Sequence, residues 1–439
     1  MMSSSSALPA MPPMPSTDLL KQLFDAAVAA AMPQAQVTRV LEPYFANKPT
    51  GRVVVVGIGK SAAAMAKAVE DAWTKAGYSE PMEGLVITRY GHGVPTKSIE
   101  VIEAGHPVPD ENGMAGAQRI LQRVQPLTAA DLVICLISGG GSALFTLPPE
   151  GISLANLADI NRQLLASGAD IVAMNTVRKA LSCSSGGRLS AMAYPAQVVS
   201  LIISDVAGDS LRSIASGPTV GDQATAADAL EIIDRYHMII PEHVRAYLHR
   251  NPNPVIAPGD ERLGTTTNHL IATPQQSLEA AAKVAIAHGY TPLILSDAIE
   301  GEARDVALVH GAIARQAKRH HQPVAPPCVI LSGGETTVTV QQNFVGKGGR
   351  NSEFLLALAH YLNGEAGIAA IACDTDGIDG SEDNAGVLIT PELWQQGERA
   401  QHYLKTHDSY SFFASIGALV VTGPTLTNVN DFRAILIEG

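Results

Sequence analysis

Val53-Val54-Val55-Val56 runs without a polar residue into Gly57-Ile58-Gly59-Lys60-Ser61 and on into Ala62-Ala63-Ala64-Met65-Ala66-Lys67-Ala68-Val69. Consecutive β-branched residues with no polar alternation suit a strand buried on both faces. Such strands belong to parallel sheets covered by helices. The alanine-rich segment suits the covering helix, with two glycines at the joint. A helix starting there directs its first N–H groups and the positive end of its dipole at the turn. The turn is therefore expected to hold an anion, with Lys60 adding a full charge. A phosphate-handling cleft, with this turn as one wall and later loops as the others, is the first expectation.

Strand and helix signals alternate through the rest of the chain. Gly84–Thr88, Asp131–Ile137, Val198–Ile203 and Ile368–Ala372 read as strands, and Asn112–Val124, Leu154–Ser167, Gln275–His288 and Glu302–Arg319 as helices. With 439 residues, 46% of them apolar and only 16% charged, the chain suits two or three α/β units better than a charged helical bundle. Residues 1–16, rich in Ser, Pro and Met, are expected to be disordered, and Asp18–Met32 to form an amphipathic helix. Asn251–Asp260, with its prolines, is the linker candidate by composition. It divides the chain into an N-terminal domain, 17–255, and a C-terminal domain, 256–439.

The net charge of −12 and the lack of any Lys/Arg block exclude nucleic acid and anionic membranes as expected partners. No run of about 18 apolar residues is present to span a bilayer. Cys135, Cys183, Cys328 and Cys373 follow no metal-ligand spacing, and no secretory signal is visible. A reducing cytoplasm is the expected compartment.

Ser138-Gly139-Gly140-Gly141-Ser142 follows an apolar strand and offers backbone donors flanked by hydroxyls. Such a nest suits nucleotide phosphates, a flexible surface loop being the other reading. Asp205 and Asp209, like Asp374, Asp376 and Asp379, follow strands, where open α/β sheets bind ligands. A hard divalent cation that bridges phosphates needs one or two such carboxylates, although Asp-Gly turns use the same residues. Arg350, behind Gly348-Gly349, stands like a phosphoryl clamp, and His106 before Pro107 suits a fixed turn or a substrate contact.

A Walker A loop would need glycine at Val54, and no G-x-S-x-G hydrolase elbow is present. A dinucleotide fingerprint does fit Gly57, Gly59 and Ala62, and Arg89 would suit a 2′-phosphate. Ile137-Ser138-Gly139-Gly140 is echoed by Leu331-Ser332-Gly333-Gly334, as an internal duplication or chance would give.

These motifs, in this order, resemble the class II glycerate 2-kinases, which join a glycerate-kinase domain to a C-terminal MOFRL domain. The residues that carry the resemblance include Gly57-Ile58-Gly59-Lys60-Ser61, Gly105-His106-Pro107, Ser138–Ser142 and Asn175-Thr176-Val177-Arg178-Lys179. They continue through Ser204-Asp205-Val206-Ala207-Gly208-Asp209, Ser216-Gly217-Pro218-Thr219 and Ser332-Gly333-Gly334-Glu335-Thr336. The last are Gly348-Gly349-Arg350-Asn351, Asp374-Thr375-Asp376-Gly377 and Thr427-Asn428-Val429-Asn430-Asp431. The resemblance implies a Rossmann-like N-terminal and a MOFRL-type C-terminal α/β domain with the active site in the cleft between them. It implies ATP-dependent, Mg²⁺-assisted phosphorylation of the 2-hydroxyl of D-glycerate by a monomer or homodimer.

By analogy with the family, Lys60 and Arg350 meet the transferring phosphoryl group, and Asp205 is the base or a Mg²⁺ ligand, with Asp374 and Asp376 as further metal ligands. Gly57, Gly59, Ser138, Gly139, Gly140, Gly141, Ser142, Gly333, Gly334 and Glu335 are assigned to the nucleotide. Arg178, Lys179, Asn175 and His106 are assigned to glycerate. Two positions depart from the family pattern: Ser185 stands where lysine is expected and Leu426 where glycine is expected. The alternatives are an NADP-dependent hydroxypyruvate reductase and a non-catalytic nucleotide- or phosphosugar-binding module.

Overall fold

The computed structural model describes residues 14–46, 49–340, 346–395, 397 and 400–439. Most of the start expected to be disordered, residues 1–13, lies outside the described residues, and a helix begins at Ser16.

The first sheet contains β1 (Val53–Ile58), β2 (Glu83–Arg89), β3 (Glu100–Ala104), β4 (Leu132–Ile137), β5 (Gln197–Ile203) and β6 (Thr266–Ala272). Its order is β3-β2-β1-β4-β5-β6, all parallel. Helix Ala62–Lys75 covers one face through Met65, Val69 and Trp73, and helix Glu111–Arg123 covers the other through Ala117, Ile120 and Leu121. Burying each large apolar side chain in these layers contributes about 1.5–3 kcal/mol. The strand order reverses between β1 and β4, which opens a crevice beyond their C-terminal ends. Lys60 and Ser138 lie just past those ends.

The second sheet contains β7 (Thr291–Glu302), β8 (Cys328–Thr337), β9 (Ile368–Asp374), β10 (Gly386–Ile389), β11 (Leu419–Val420) and β12 (Asp431–Ile437). The order is β11-β10-β9-β12-β8-β7, in which β7 and β8 are parallel and the other pairs antiparallel. The echo between the two Ser-Gly-Gly segments therefore has no structural counterpart. Ser138 lies just beyond a parallel strand, whereas Ser332, Gly333 and Gly334 lie within β8.

The expected boundary at 255/256 is corrected by strand pairing. β6 follows the proline-rich segment yet completes the first sheet beside β5. That segment is fastened to the first half of the chain: Ile256 N donates to Gly186 O (2.9 Å) and Ala226 N to Pro252 O (3.0 Å). Prolines serve a packed loop as well as a linker, so composition could not tell the two apart. At the other end, helix Ser16–Ala31 joins the core of the second sheet, where Phe24 meets Phe432 and Ser277 Oγ donates to Ala27 O at 2.8 Å.

Four helices, Leu154–Ala166, Ile171–Ala180, Ala226–Arg235 and Glu242–Arg250, share a separate apolar core built on Leu164, Val177, Ile233 and Leu248. They form a cap on the first sheet, and the first two line its cleft.

Candidate active site

The turn after β1 differs from its expected role. Its amides are already hydrogen-bonded: Gly59 N donates to Ile87 O (3.1 Å), Lys60 N to Gly139 O (2.9 Å) and Ser61 N to Ser138 Oγ (3.0 Å). Gly59 has φ 120°, and a Cβ there would lie 2.3 Å from Ser138 Oγ. Its glycine is required by the neighbouring loop, and Gly57 lies inside β1. Gly57 and Gly59 thus meet other protein groups at this turn, and the amides of Gly59, Lys60 and Ser61 are engaged within the protein. What the turn contributes is the Lys60 side chain.

The triglycine loop is used in a similar way. Ser138 is fully buried beneath Ser61. A Cβ on Gly139 would lie 1.7 Å from Asp205 Oδ2, and one on Gly141 would lie 2.5 Å from Ala215 Cβ. Both glycines make room for protein groups, and only Gly140 and Ser142 of this loop line the cleft. In β8, a Cβ on Gly334 would meet Ile299 O at 2.2 Å. Gly333 and Gly334 thus permit strand contact, while Glu335 reaches the cleft.

Charges from the two sheets meet at the Asp374-Thr375-Asp376 loop beyond β9. Lys60 Nζ lies 2.8 Å from Asp376 Oδ2. Arg350 Nη2 lies 2.9 Å from Asp374 Oδ2, and the same guanidinium reaches Asp431 Oδ1 at 2.6 Å and Glu335 Oε1 at 3.0 Å. Asp376 N donates to Asp374 Oδ1 at 3.0 Å and so links the two cations through one loop. Burial opposes charge on Lys60, but Asp376, Asp374 and Asp205 outweigh it and raise its pKa. Arg350 is raised in the same way by Asp431, Asp374 and Glu335. Burial, then Asp376, pushes Asp374 well above the usual carboxylate range. Asp376 is held below that range because Lys60 overcomes its burial.

Arg350 opens helix Arg350–Leu362, whose N-terminus is capped by Asp379: Asn351 N donates at 3.0 Å and Ser352 N at 2.8 Å. Asp379 is therefore a helix cap. Asp431, at the head of β12, also accepts from Asn351 Nδ2 (2.8 Å), Thr336 N (3.1 Å) and Arg433. Arg433 is itself buried and lies over the Phe354 ring. Sequence reasoning gave Asp431 and Arg433 no role, although Asp431 ends a quoted motif.

Asp205 rests on Gly139 at the end of β5. Its Oδ2 accepts from Asn428 Nδ2 at 3.1 Å, and its carbonyl accepts from Asn430, so the second domain fixes it. Burial, then the charge of Glu335, pushes its pKa up to about 6. His106 lies against Gly140 and is pushed down to about 3 by burial and by Lys60. Its imidazole is neutral at physiological pH.

The crevice has a volume of about 800 Å³ and is lined from both halves of the chain, by His106, Ser142, Arg178 and Asp205 and by Glu300, Glu335 and Arg350. Arg178 Nε and Nη2 donate to Asn161 Oδ1 at 2.9 and 2.6 Å, which aims the guanidinium along the cap wall. Two expected substrate contacts lie behind that wall. Lys179 is paired with Asp222 at 2.5 Å, and Asn175 holds Ser213 O (3.2 Å) and Ser216 Oγ (3.1 Å). Ser216 and Ala215 are cleft residues with φ of 59° and 50°, a strained turn invisible to composition.

Among the described residues, no three His, Cys, Asp or Glu side chains form a preformed metal cage. With Arg350 on Asp374 and Lys60 on Asp376, the expected Asp205, Asp374 and Asp376 set is not assembled. The acidic residues that line the cleft are Asp170, Asp205, Glu300 and Glu335, and after burial it is the charge of Glu335 that raises the Asp205 pKa. Cleft carboxylates such as Asp205 and Glu335 fit Mg²⁺, which keeps few protein ligands when it binds with phosphates.

Residues 19–249 match the family described as a domain of unknown function (DUF4147), and residues 328–431 match the MOFRL family. A D-glycerate 2-kinase of Thermotoga maritima is 40% identical over 392 residues, covering 88% of this chain and 91% of its own. A protein of Agrobacterium vitis named as a putative hydroxypyruvate reductase is 51% identical over 426 residues, covering 95% of this chain and 94% of its own. The crystal structure of a glycerate kinase from Thermotoga maritima superposes with a TM-score of 0.83 at 36% identity. That match covers 96% of this chain and 99% of the other. No helix among the described residues is long and apolar enough to cross a membrane.

Proposed function

Since the chain belongs to the glycerate kinase family, we propose that it transfers the γ-phosphoryl group of ATP to the 2-hydroxyl of D-glycerate. The observation that carries this reading is the meeting of Lys60 and Arg350, from different sheets, at one loop beside a cleft that Asp205 lines. Phosphoryl transfer asks a protein mainly for positioning and for neutralisation of charge.

The side chains divide those tasks. Lys60 and Arg350 exchange their carboxylate partners for phosphoryl oxygens. Arg178, whose Nη1 is not used by Asn161, holds the glycerate carboxylate. Asp205, whose pKa of about 6 leaves it ionised at neutral pH and close in basicity to the medium, accepts the hydroxyl proton. Neutral His106 orients the acceptor without adding charge. Asp205 or Glu335 would hold Mg²⁺, which would supply further charge neutralisation.

The name carried by the Agrobacterium relative raises reductase chemistry. The hydrogen-bonded amides of Gly59, Lys60 and Ser61 argue against a dinucleotide at the β1 turn. The purified protein is expected to release ADP from ATP and Mg²⁺ only with D-glycerate present. Phosphorus NMR should identify a secondary phosphate ester. Consumption of NADPH with hydroxypyruvate, without ADP release, would overturn the assignment.

A further inference from the structure

The cap wall of the cleft carries hydroxyls for which the phosphoryl machinery has no use. Met174, Arg178, Leu181, Ser182 and Ser185 all line it, at near-helical spacing that continues beyond the end of helix Ile171–Ala180. Ser182 Oγ is engaged by its own loop, accepting from Ser184 N at 3.1 Å and Ser185 N at 3.2 Å. Ser185 Oγ has one side-chain partner among the described residues, Ser182 Oγ at 2.8 Å. A seryl hydroxyl offers one proton and two lone pairs, so Ser185 keeps capacity to bond a ligand.

The segment is held in place. Cys183 N donates to Leu147 O (2.8 Å), Ser184 Oγ to Phe145 O (2.5 Å) and Gly186 N to Ser216 O (3.0 Å). Ser216 Oγ in turn meets Ser142 Oγ at 2.8 Å, which extends the row of hydroxyls toward the triglycine loop. Among the described residues that line the cleft, Arg178 and Arg350 are the only arginines or lysines. With Arg350 beside the phosphoryl loop, the cap wall presents one cation followed by hydroxyls. Its complement is a single carboxylate followed by several hydroxyls.

We propose that this acceptor site takes a hydroxy acid longer than glycerate, a four-carbon 2,3,4-trihydroxy acid, with its carboxylate on Arg178 and its terminal hydroxyl on Ser185. The proposal rests on the kinase reading. A lysine at position 185 would fill this part of the cleft with a four-carbon stem and an ammonium group. Serine leaves it open and polar. In the reaction the 2-hydroxyl oxygen forms the new O–P bond as the bond between the γ-phosphorus and ADP breaks, and the hydroxyl proton leaves through Asp205. The products are the phosphorylated acid, ADP and one proton.

The test compares kcat/KM for 2,3,4-trihydroxybutanoate and D-glycerate in the wild type, Ser185→Ala and Ser185→Lys. The wild type is expected to use the longer acid within about 10-fold of glycerate. The ratio of longer to shorter acid should fall about 3- to 10-fold in Ser185→Ala, as for one lost hydrogen bond. It should fall by more than about 10-fold in Ser185→Lys, where space is lost as well. Phosphorylation of glycerate alone, or a ratio unchanged in both variants, would overturn the proposal and leave the kinase reading intact. Phosphorylation of neither acid would remove the kinase reading and this proposal with it.

Discussion

Lys60 Nζ and Asp376 Oδ2 lie 2.8 Å apart although the residues are 316 positions apart in the chain and belong to different sheets. Both side chains are largely withdrawn from solvent, at 16% and 3% exposure. A phosphate that enters the cleft has to compete with Asp376 for this ammonium, so the pair is both an interdomain tie and a reserve of positive charge.

Lys60→Met is expected to lower kcat by about 10²- to 10³-fold, as for a lost oxyanion donor. It should also cost about 3 kcal/mol of stability by leaving Asp376 buried and unpaired. The double variant Lys60→Met/Asp376→Leu should recover much of the stability and none of the activity. Denaturant melts alongside steady-state rates separate the two effects. Near-normal kinase activity in folded Lys60→Met would exclude the phosphoryl role.

Arg350 meets three carboxylates with one planar fork, a geometry that an ammonium cannot reproduce. Arg350→Lys is expected to lose about 10²-fold in kcat. KM for D-glycerate should shift far less, since the acceptor carboxylate is assigned to Arg178. A change confined to KM would contradict this division.

The raised pKa of Asp205 predicts a single acidic limb in the pH dependence of kcat/KM, with a midpoint near 6 and a plateau above it. His106, pushed down to about 3, contributes no limb near neutrality. The stability effect has the opposite sign to the activity. Asp205 is neutral in both folded and unfolded chains at low pH; as the pH rises from its ordinary 3.8 to about 6 the unfolded chain ionises first, so the fold loses stability across that window and no more above it. Asp205→Asn should therefore abolish the activity limb while raising Tm at about pH 8 and leaving it unchanged near pH 4. An unchanged pH–rate profile in this variant would assign the base elsewhere.

Arg178 and Lys179 are adjacent in sequence and face different environments. Arg178→Ala is expected to raise KM for D-glycerate by about 10- to 100-fold, the loss of a charge-assisted hydrogen bond, with little change in KM for ATP. Lys179→Ala should leave both constants near wild type and lower Tm, since it strands Asp222 beneath the cap. Exchange of these two phenotypes would reverse the assignment.

The parallel first layer was legible because strands buried on both faces leave an unbroken apolar signature, as at Val53–Val56 and Leu132–Ile137. Lys60 and Asp205 stand out in the sequence as polar residues just beyond such strands, and Arg350 by the glycines that precede its helix. The use of the glycines was not legible. Gly59 and Gly139 look like phosphate cradles in one dimension, but the backbone and Asp205 that occupy the space come from distant segments. Position 426 is similar: Leu426 has φ 66°, which is why glycine is expected there, and nothing local in the sequence reveals that conformation. Lys179 and Asn175 carried the chemistry of a ligand site, and only the position of Asp222 and Ser216 distinguishes a buried brace from a substrate contact.

The assignment of helix Ser16–Ala31 to the second layer and of β6 to the first means that the polypeptide passes between its two lobes twice, near Met32 and again near Thr273. Two covalent crossings join the lobes, in addition to the Lys60–Asp376 and Asn428–Asp205 contacts between them. A fragment severed at residue 255 would carry neither lobe whole.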